Sequence, residues 1–308
     1  MSSSLRFRAD GSFTIVQFTD THFADNNEKD QQTAALMRQV LQIEQPDLVL
    51  FTGDVIDGRD GTDAALAWRL ATAPVIEQHL PWAAVFGNHD DENNLSRARQ
   101  MELQRQLPGC LSLPGPATVD GCGNFLLRVL APQGWETAAG LYCLDSHAYA
   151  EKAIGGYGWI QASQIRWLHS SLRQLGKTLQ TVPALIFLHI PLPEYADVWR
   201  QGECRGEKNE DICCPLLNSG LFAALRLAGS GRVAGIFAGH DHTNDFCGDL
   251  LGIRLCYGRA TGYNTYGRDD FRHGARVIRL QYGQAGFSSW LRLDDGRSRQ
   301  FWPAAASW

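Results

Sequence analysis

Residues 47–54 read DLVLFTGD, an apolar run that ends in a glycine and an aspartate. Residues 13–20 (FTIVQFTD) and 82–90 (WAAVFGNHD) repeat this arrangement, with polar residues directly after the apolar stretch. Short apolar runs bounded in this way predict buried strands. Apolar residues recur at helical spacing between positions 34 and 41, so we expect a helix that ends at Pro46. Alternating strands and helices predict an α/β fold with parallel strands and right-handed crossovers.

The same alternation continues along the chain. Apolar residues at helical spacing predict further helices at residues 64–79, 161–175 and 216–227. Residues 183–191 (PALIFLHIP) and 232–242 (RVAGIFAGHDH) are two more apolar runs that predict buried strands. We therefore expect five buried strands, each of which carries polar residues at its carboxyl end.

Residues 111–146 have a different composition. They are rich in Gly and Pro and contain alternating apolar stretches, which predicts strands of a second sheet. No convincing linker divides the chain, and 308 residues are enough to bury a large core. We therefore predict a single domain over residues 1–308, with the motif-bearing core at residues 13–267.

The composition is that of an ordinary soluble globular protein, with 44% hydrophobic and 20% charged residues. A net charge of −5 gives no overall attraction to nucleic acid or to anionic membranes, so we expect no nucleic-acid partner. Residues 1–13 lack the apolar segment of a signal peptide, and no apolar span of roughly 18 residues follows. We therefore expect no membrane insertion and a cytoplasmic location.

The chain has eight cysteines, which a cytoplasmic location would keep reduced. Cys204, Cys213 and Cys214 cluster in one loop, whereas Cys247 and Cys256 flank a predicted hairpin. Either set could bridge or bind metal, although the spacing matches no common zinc pattern. We favour buried or loop cysteines without a bridge.

Five short motifs follow the predicted strands, and they supply carboxylate, amide and imidazole groups. Such oxygen and nitrogen donors hold divalent Mn, Fe or Zn. No cysteine takes part, which argues against a structural zinc site. Side chains beyond the carboxyl ends of strands converge in one crevice of an open α/β sheet. The motifs place these donors at Asp20 and His22, Asp54, residues 88–90, His189 and residues 240–242.

Taken singly, these residues have structural explanations. Asp54 could cap a turn, and His189 could be a buried histidine with its hydrogen bonds satisfied. Only the joint pattern favours a metal site. Gly53, Gly87 and Gly239 precede the ligands, and we expect them to let the backbone turn sharply there.

In order and context the strings DTH, GDVID, GNHD, LHIP and GHDH resemble the motifs of the calcineurin-like metallophosphoesterase superfamily. The resemblance extends from Asp20 to His242, and no motif is missing. It implies a four-layer α/β/β/α sandwich, two divalent metal ions and hydrolysis of phosphate esters. The sequence does not specify whether the ions are Mn, Fe or Zn.

The resemblance also divides the ligands into two sets that share one carboxylate. Two cations about 3.5–4 Å apart need a negative charge between them, and Asp54 takes this position. The first ion is expected on Asp20, His22 and His242, and the second ion on Asn88, His189 and His240.

The expected nucleophile is a hydroxide that bridges the metals, because metal binding lowers the pKa of water from about 15.7 towards about 7. By resemblance His89 is a catalytic residue that faces the substrate beside Asn88, where it stabilises the transition state or protonates the leaving oxygen. Asp54 is expected to be catalytic as well as bridging. Asp57 and Asp90 are expected behind the ligands, as hydrogen-bond acceptors that fix the orientation of an imidazole or a loop.

Within the superfamily the chain is similar to a purple-acid-phosphatase-like branch that includes short plant and fungal phosphatases. The strings GNHDDE, NSGLFAAL, AGHDHTNDFCG and CYGRATGYNTYG carry this similarity. Purple acid phosphatases have Gly in place of His22 and Tyr in place of Asp57, so no tyrosinate ligand and no purple colour are expected. Four residues of these strings are expected near the pocket mouth, in contact with substrate or in loop hydrogen bonding and packing: Glu92, Asn244, Tyr263 and Tyr266.

The leading hypothesis is a metal-dependent phosphomonoesterase whose substrate is a small phosphate ester or a phosphoprotein. The same metals and nucleophile would serve a phosphodiesterase that acts on cyclic nucleotides or phospholipid-type diesters. A third interpretation is a metal-loaded interaction module that has lost hydrolysis. Such a loss usually removes a ligand or the equivalent of His89, and this chain has kept both.

Overall fold

The computed structural model describes residues 4–59, 63–92, 95–178, 182–201, 203–228 and 232–302. Within these ranges two β-sheets lie face to face, and strands are numbered in chain order. The first sheet contains β1 (Ser12–Phe18), β2 (Leu48–Thr52), β3 (Trp82–Val85), β11 (Gly274–Gln281), β12 (Phe287–Leu293) and β13 (Ser298–Trp302). Its spatial order is β13-β12-β11-β1-β2-β3, in which β1, β2 and β3 are parallel and the other pairs are antiparallel.

The second sheet has seven strands and a parallel centre. It contains β4 (Phe125–Leu130), β5 (Thr137–Cys143), β6 (Ala184–Phe187), β7 (Cys204–Arg205), β8 (Val233–Ala238), β9 (Cys247–Leu250) and β10 (Ile253–Tyr257). Its spatial order is β4-β5-β6-β8-β10-β9-β7. Strands β5, β6, β8 and β10 are parallel, and the remaining pairs are antiparallel.

Helices cover the outer face of each sheet. They are α1 (Glu28–Glu44), α2 (Ala64–Glu77), α3 (Arg97–Gln106), α4 (Ala162–Thr178), α5 (Glu194–Arg200) and α6 (Leu221–Ala228). Residues of α1, α2 and α3 pack on the first sheet, and residues of α4, α5 and α6 pack on the second. The predicted four-layer α/β/β/α sandwich is therefore confirmed.

Strand β1 shows why the sequence favours this layering. Phe13 and Ile15 point into the core between the sheets, whereas Val16 and Phe18 pack against the helices on the outer side. Because side chains alternate between the faces of a strand, an apolar run covers both faces with hydrophobic groups. The β1 side chains are all buried, as two-sided packing requires.

The predicted helices and buried strands are present, with differences at their ends. Helix α1 begins after a capping box at Asn27 and ends at Glu44, with Gln45 as the C-cap residue directly before Pro46. Helix α6 begins at Leu221, five residues later than the prediction of a helix at 216–227. Helix α3 was not predicted, because this helix buries mainly the polar side chains of Gln100 and Gln104 and has no apolar periodicity.

One cysteine pair contradicts the favoured interpretation of unbridged cysteines. Cys247 and Cys256, which lie opposite each other on β9 and β10, form a disulfide. The spacing around the hairpin had left this alternative open. The predicted cytoplasmic location stays a prediction. No described helix combines the length and apolar character that a membrane crossing needs.

Candidate metal centre

The seven predicted ligands meet at one end of the sandwich. Each follows the carboxyl end of a parallel strand: β1, β2 and β3 in the first sheet, and β6 and β8 in the second. Strand ends from both sheets therefore contribute to one site, although the ligands span more than two hundred positions of sequence. All seven residues are at most 7% exposed: Asp20, His22, Asp54, Asn88, His189, His240 and His242.

One group of donor atoms surrounds His189 Nε2. Asp54 Oδ2 lies 3.1 Å from this nitrogen, and Asn88 Oδ1 and His240 Nδ1 each lie 3.2 Å from it. His189 Nδ1 donates to the carbonyl oxygen of Thr52 at 2.8 Å. This hydrogen bond places a proton on Nδ1 and turns Nε2 towards the cluster.

A second group of donors lies beside the first. His242 Nε2 is 3.4 Å from Asp20 Oδ1, and His22 Nε2 is 3.7 Å from Asp54 Oδ2. Within each of two triads the potential ligand atoms lie within 4.8 Å of one another; the triads are Asp20, His22 and His242, and Asp54, His189 and His240. Asp54 Oδ2 is close to histidines of both triads, as a bridging ligand must be.

Several buried atoms of the cluster lack a hydrogen-bond partner among the described residues. They are both ring nitrogens of His22, Oδ2 of Asp54 and Nε2 of His240. The 3.1 Å contact between Asp54 Oδ2 and His189 Nε2 has the distance of a hydrogen bond but not its geometry. Buried polar atoms without partners are costly, and divalent cations would satisfy these nitrogen and oxygen donors. The donor set therefore fits two divalent ions.

Backbone conformation also marks these residues. Asp20, His22, Asp54 and His240 adopt positive φ angles of 52°, 45°, 46° and 79°. For residues other than glycine this left-handed region costs about 1–2 kcal/mol each. Strain of this kind persists where the surroundings hold a functional geometry. Here it directs side chains of neighbouring loops towards one point.

The glycines before the ligands do not all act as expected. Gly53 has a φ of 87°, so it provides the predicted turn. Gly239 does not have a positive φ; a Cβ atom there would collide with Thr19 Oγ1 and would lie 2.9 Å from Asp20 Oδ2. Gly87 is likewise required for space, because its Cβ would meet Asp54. Glycine is required at these two positions because a side chain would have no space there, and not because the backbone needs a positive φ angle.

Electrostatics within the cluster favour a positive charge between the carboxylates. Burial lowers the pKa of His189, but the negative charges of Asp54 and Asp20 raise it overall to about 9. Burial and the charge of His189 lower the pKa of His240 to about 3. Burial raises the pKa of Asp54, yet the neighbouring histidines hold it well below its usual value. Divalent cations would supply the charge that these groups favour.

Asp57 and Asp90 lie behind the ligands. Asp90 Oδ1 accepts from two backbone amides of the loop after β2, at 2.8 and 3.0 Å, and its Oδ2 accepts from the Gly87 amide at 2.7 Å. Asp90 thereby ties together the loops that carry Asp54 and Asn88. Asp57 Oδ2 lies 3.8 Å from His22 Nδ1. Burial, followed by the charge of Asp54, raises the pKa of Asp90 to about 6.

His89 occupies the mouth of the site. Its backbone amide donates to Asp54 Oδ1 at 2.8 Å, and its ring centroid is 5.5 Å from that of His22. Glu92 Oε2 contacts His89 Nδ1 at 2.6 Å. The His89 side chain is 19% exposed, whereas the His22 side chain is only 2% exposed. His89 is therefore accessible to a ligand in a way that the buried donors are not.

Of the other residues expected at the pocket mouth, Tyr266 contacts a metal ligand, whereas Asn244 and Tyr263 bond to neighbouring loops. The Tyr266 ring stacks on His242 with 4.1 Å between centroids. Asn244 accepts from backbone amides of the 209–210 loop, and the Tyr263 hydroxyl donates to Asp294 at 3.1 Å. Asn244 and Tyr263 thus have the loop-bonding alternative that the sequence analysis left open.

Two tyrosines that the motif strings do not include flank the group of donors around His189 Nε2. The edge of the Tyr157 ring meets His240 with 4.4 Å between centroids, and Tyr149 contacts Asn88. Both lie in the segment between β5 and α4, outside every motif string. No signal in a single sequence indicated that this segment folds over the site.

The fold and the donor set are those of a metallophosphoesterase. The family model for calcineurin-like phosphoesterases matches residues 13–244, and the chain belongs to this family. The family consists of dimetal enzymes, which implies two metal ions. Family membership does not determine which metals they are. The predicted superfamily is confirmed.

Relatives and solved structures agree with this family. An Arabidopsis thaliana protein named "Probable inactive purple acid phosphatase 14" is 34% identical over 94% of this chain and 83% of that protein. Phosphatase DCR2 of Saccharomyces cerevisiae is 35% identical over 81% of this chain and 48% of that protein. A dimetal phosphatase from Danio rerio shares the fold, with a TM-score of 0.62 and 17% identity over 91% of this chain and 95% of that one.

Proposed function

We propose that this protein is a dinuclear metal-dependent phosphatase that hydrolyses phosphate monoesters. The position of Asp54 Oδ2 carries the proposal: it lies 3.1 Å from His189 Nε2 and 3.7 Å from His22 Nε2. One carboxylate oxygen between two donor groups suits a pair of ions about 3.5–4 Å apart. The family membership supports the same conclusion. Mn, Fe and Zn are the ions that match the donors.

The donors would hold the ions in the two predicted sets. Asp20, His22 and His242 would hold the first ion; Asn88, His189 and His240 would hold the second; Asp54 would be shared. When bound, the two ions neutralise phosphoryl charge and lower the pKa of a bound water, which makes it nucleophilic at neutral pH. With two carboxylates among the ligands the site keeps a net positive charge, which suits an anionic substrate.

His89 is the residue that we assign to the substrate. It directly follows Asn88, and the bond from its amide to Asp54 Oδ1 fixes its backbone beside the shared carboxylate. Its partly exposed imidazole can donate a hydrogen bond to a phosphoryl oxygen or a proton to the leaving oxygen. General acid catalysis of this kind contributes about 10²–10⁴-fold.

The choice of monoesters over diesters is supported by the names of relatives, which include a phosphatase from Saccharomyces cerevisiae. The word "inactive" in the name of the Arabidopsis thaliana relative favours a different function, a metal-loaded interaction module. The complete set of seven donors and the retained His89 favour hydrolysis.

Paired substrates test the proposal. We expect metal-replete protein to hydrolyse p-nitrophenyl phosphate with a higher kcat/KM than bis(p-nitrophenyl) phosphate. Chelation should abolish the activity, and Mn, Fe or Zn should restore it. His89→Ala is the control, because it should keep two equivalents of metal and lose about 10²–10⁴-fold in turnover. A reversed preference would favour a diesterase, and a metal-replete protein inactive on both esters would favour the interaction module.

A further inference from the structure

A closed set of hydrogen bonds joins a metal ligand to the substrate-facing histidine. Asn88 Nδ2 donates to the Tyr149 hydroxyl at 3.1 Å. The Tyr149 hydroxyl donates to Glu92 Oε1 at 2.8 Å, and Glu92 Oε2 contacts His89 Nδ1 at 2.6 Å. Since Asn88 and His89 are consecutive, the backbone completes a ring of four residues.

The ring determines which end of the Asn88 amide faces the metal position. A carboxylate only accepts hydrogen bonds, so the Tyr149 hydroxyl must donate to Glu92. Its oxygen is then free to accept from the Asn88 NH₂ group. The amide oxygen is left on the opposite side, 3.2 Å from His189 Nε2, where a cation would need an oxygen donor.

The same ring determines the orientation of His89. Glu92 accepts at Nδ1, so this nitrogen carries a proton and Nε2 is directed away from Glu92. Arg59 lies 3.4 Å from the same Glu92 oxygen and 3.6 Å from Asp57, so its guanidinium places a positive charge beside the carboxylate that contacts His89. With Nδ1 held by Glu92, Nε2 is the ring nitrogen of His89 that is left to face a leaving oxygen.

A second tyrosine braces the ring against another ligand. Tyr149 stacks on Tyr157 with 5.9 Å between centroids, and the edge of Tyr157 packs on His240. The segment between β5 and α4 therefore contacts two donors of the second metal position. Its two tyrosines thereby limit the positions open to the side chains of Asn88 and His240.

We propose that Glu92 and Tyr149 are positioning residues of the hydrolytic site. Glu92 holds His89 with Nε2 towards the leaving oxygen, and Tyr149 links that carboxylate to the amide of Asn88. The inference rests on the proposed hydrolysis of phosphate esters. In the step that they serve, a water oxygen bonds to phosphorus and releases a proton to solvent. The bond from phosphorus to the leaving oxygen breaks, and this oxygen takes the proton from Nε2 of His89. The other ring nitrogen, Nδ1, keeps its proton, which stays hydrogen-bonded to Glu92.

Leaving-group dependence tests the action of Glu92 through His89. In metal-replete Glu92→Ala we expect kcat to fall about 10- to 100-fold, with KM little changed and two equivalents of metal retained. The loss should be larger for an alkyl phosphate than for p-nitrophenyl phosphate, because a poor leaving group depends more on protonation. Glu92→Gln keeps an acceptor at Nδ1 and should restore part of the loss.

A double-variant cycle separates positioning from a general structural effect. Glu92→Ala should add little to His89→Ala, because both changes remove the same proton donor. Tyr149→Phe should reduce kcat and also weaken the second ion, since the Asn88 amide loses its partner. Glu102→Ala is the matched control: Glu102 also pairs with a cation three residues away, on exposed α3, and its loss should change nothing. Losses that multiply, or that are equal for both leaving groups, would overturn the inference.

Nitrogen NMR of His89 in the zinc-loaded protein tests the orientation without relying on turnover. At a pH where the imidazole is neutral, Nδ1 should carry the proton in the wild type and lose it in Glu92→Ala. An Nδ1 proton that is absent from the wild type, or unchanged in the variant, would refute the positioning. If the wild type hydrolyses no ester while this shift is observed, the proposed function fails and the hydrogen-bonded ring stands.

Discussion

Each metal position combines two histidines with oxygen donors, yet the donors of the second position lie closer together than those of the first. Around His189 Nε2 three donor atoms lie at 3.1–3.2 Å. At the first position the corresponding distances are 3.4 Å, between His242 Nε2 and Asp20 Oδ1, and 3.7 Å, between His22 Nε2 and Asp54 Oδ2. The second position thus has donors already gathered at one point.

Hydrogen bonds from outside the cluster hold His189 and Asn88 of the second position but not His22 of the first. His189 is oriented by the Thr52 carbonyl oxygen at 2.8 Å, and Asn88 by Tyr149 at 3.1 Å. By contrast, neither ring nitrogen of His22 has a hydrogen-bond partner among the described residues. Oriented donors lose less freedom when an ion binds. We therefore expect the second position to bind its ion more tightly than the first.

The largest effect should come from the residue that both positions share. Asp54→Asn removes the charge between the ions, so both should bind more weakly, by more than the roughly 10- to 100-fold cost of losing an outer partner. Elemental analysis and calorimetric titration measure this change. Asp197→Asn, on the exposed surface of α5, is the control. Two full equivalents of metal in Asp54→Asn would contradict the bridge.

Single-ligand variants should separate the two positions. His22→Ala should lose the first ion and keep the second with near-native affinity, because the donors around His189 stay in place. His189→Ala should lose the second ion. Stoichiometry measured at increasing metal concentration distinguishes the cases. If His22→Ala released both ions together, the difference between the positions would not exist.

When a chelator removes metal from the wild type, the two positions should release their ions at different rates. We expect two phases of ion release, with the first ion leaving about tenfold faster than the second, in line with the affinity difference that outer hydrogen bonds confer. A chromophoric chelator mixed with zinc-loaded protein follows both phases. Only the slow phase should remain in His22→Ala. A single phase would mean that the two positions are equally held.

The smallest effect concerns the space beside the first position. Gly239→Ala would push a Cβ atom against Thr19, whose hydroxyl donates to Asp20 Oδ2 at 2.7 Å. Overpacking of this kind costs about 1–3 kcal/mol, so the Tm should fall and the first ion should bind more weakly. Gly267→Ala is the matched control, because a Cβ there meets nothing within 4 Å. An unchanged Tm for Gly239→Ala would show that the loop can move.

Sequence reasoning succeeded where the chain repeats a physical rule. The strands could be predicted because their apolar runs pack against the opposite sheet on one face and the helices on the other. The site could be predicted because polar residues follow the carboxyl ends of these strands, where the structure brings them together. Sequence reasoning failed where polar side chains are buried. Helix α3 buries Gln100, which accepts a hydrogen bond from Trp68 Nε1 at 2.9 Å, and a helix packed through polar side chains shows no periodic apolar residues in its sequence.

The tyrosines over the second position escaped prediction for a different reason. Tyr149 reaches Asn88 across 61 positions of sequence, and its segment has neither a regular element nor a motif. Its placement depends on how the loop after β5 packs against the GNHD loop, which is a property of tertiary structure. Glu92 and His89 were visible within one string, but the contact between them and the hydrogen bond from Tyr149 were not.

The disulfide between Cys247 and Cys256 makes the thermal stability of the protein depend on the redox conditions around it. The two cysteines are nine positions apart and close a short hairpin just beyond the loop of His240 and His242. Closing a loop of this size restricts the unfolded chain by about 2–3 kcal/mol. The same polypeptide should therefore resist heat better in an oxidising compartment than in a reducing one.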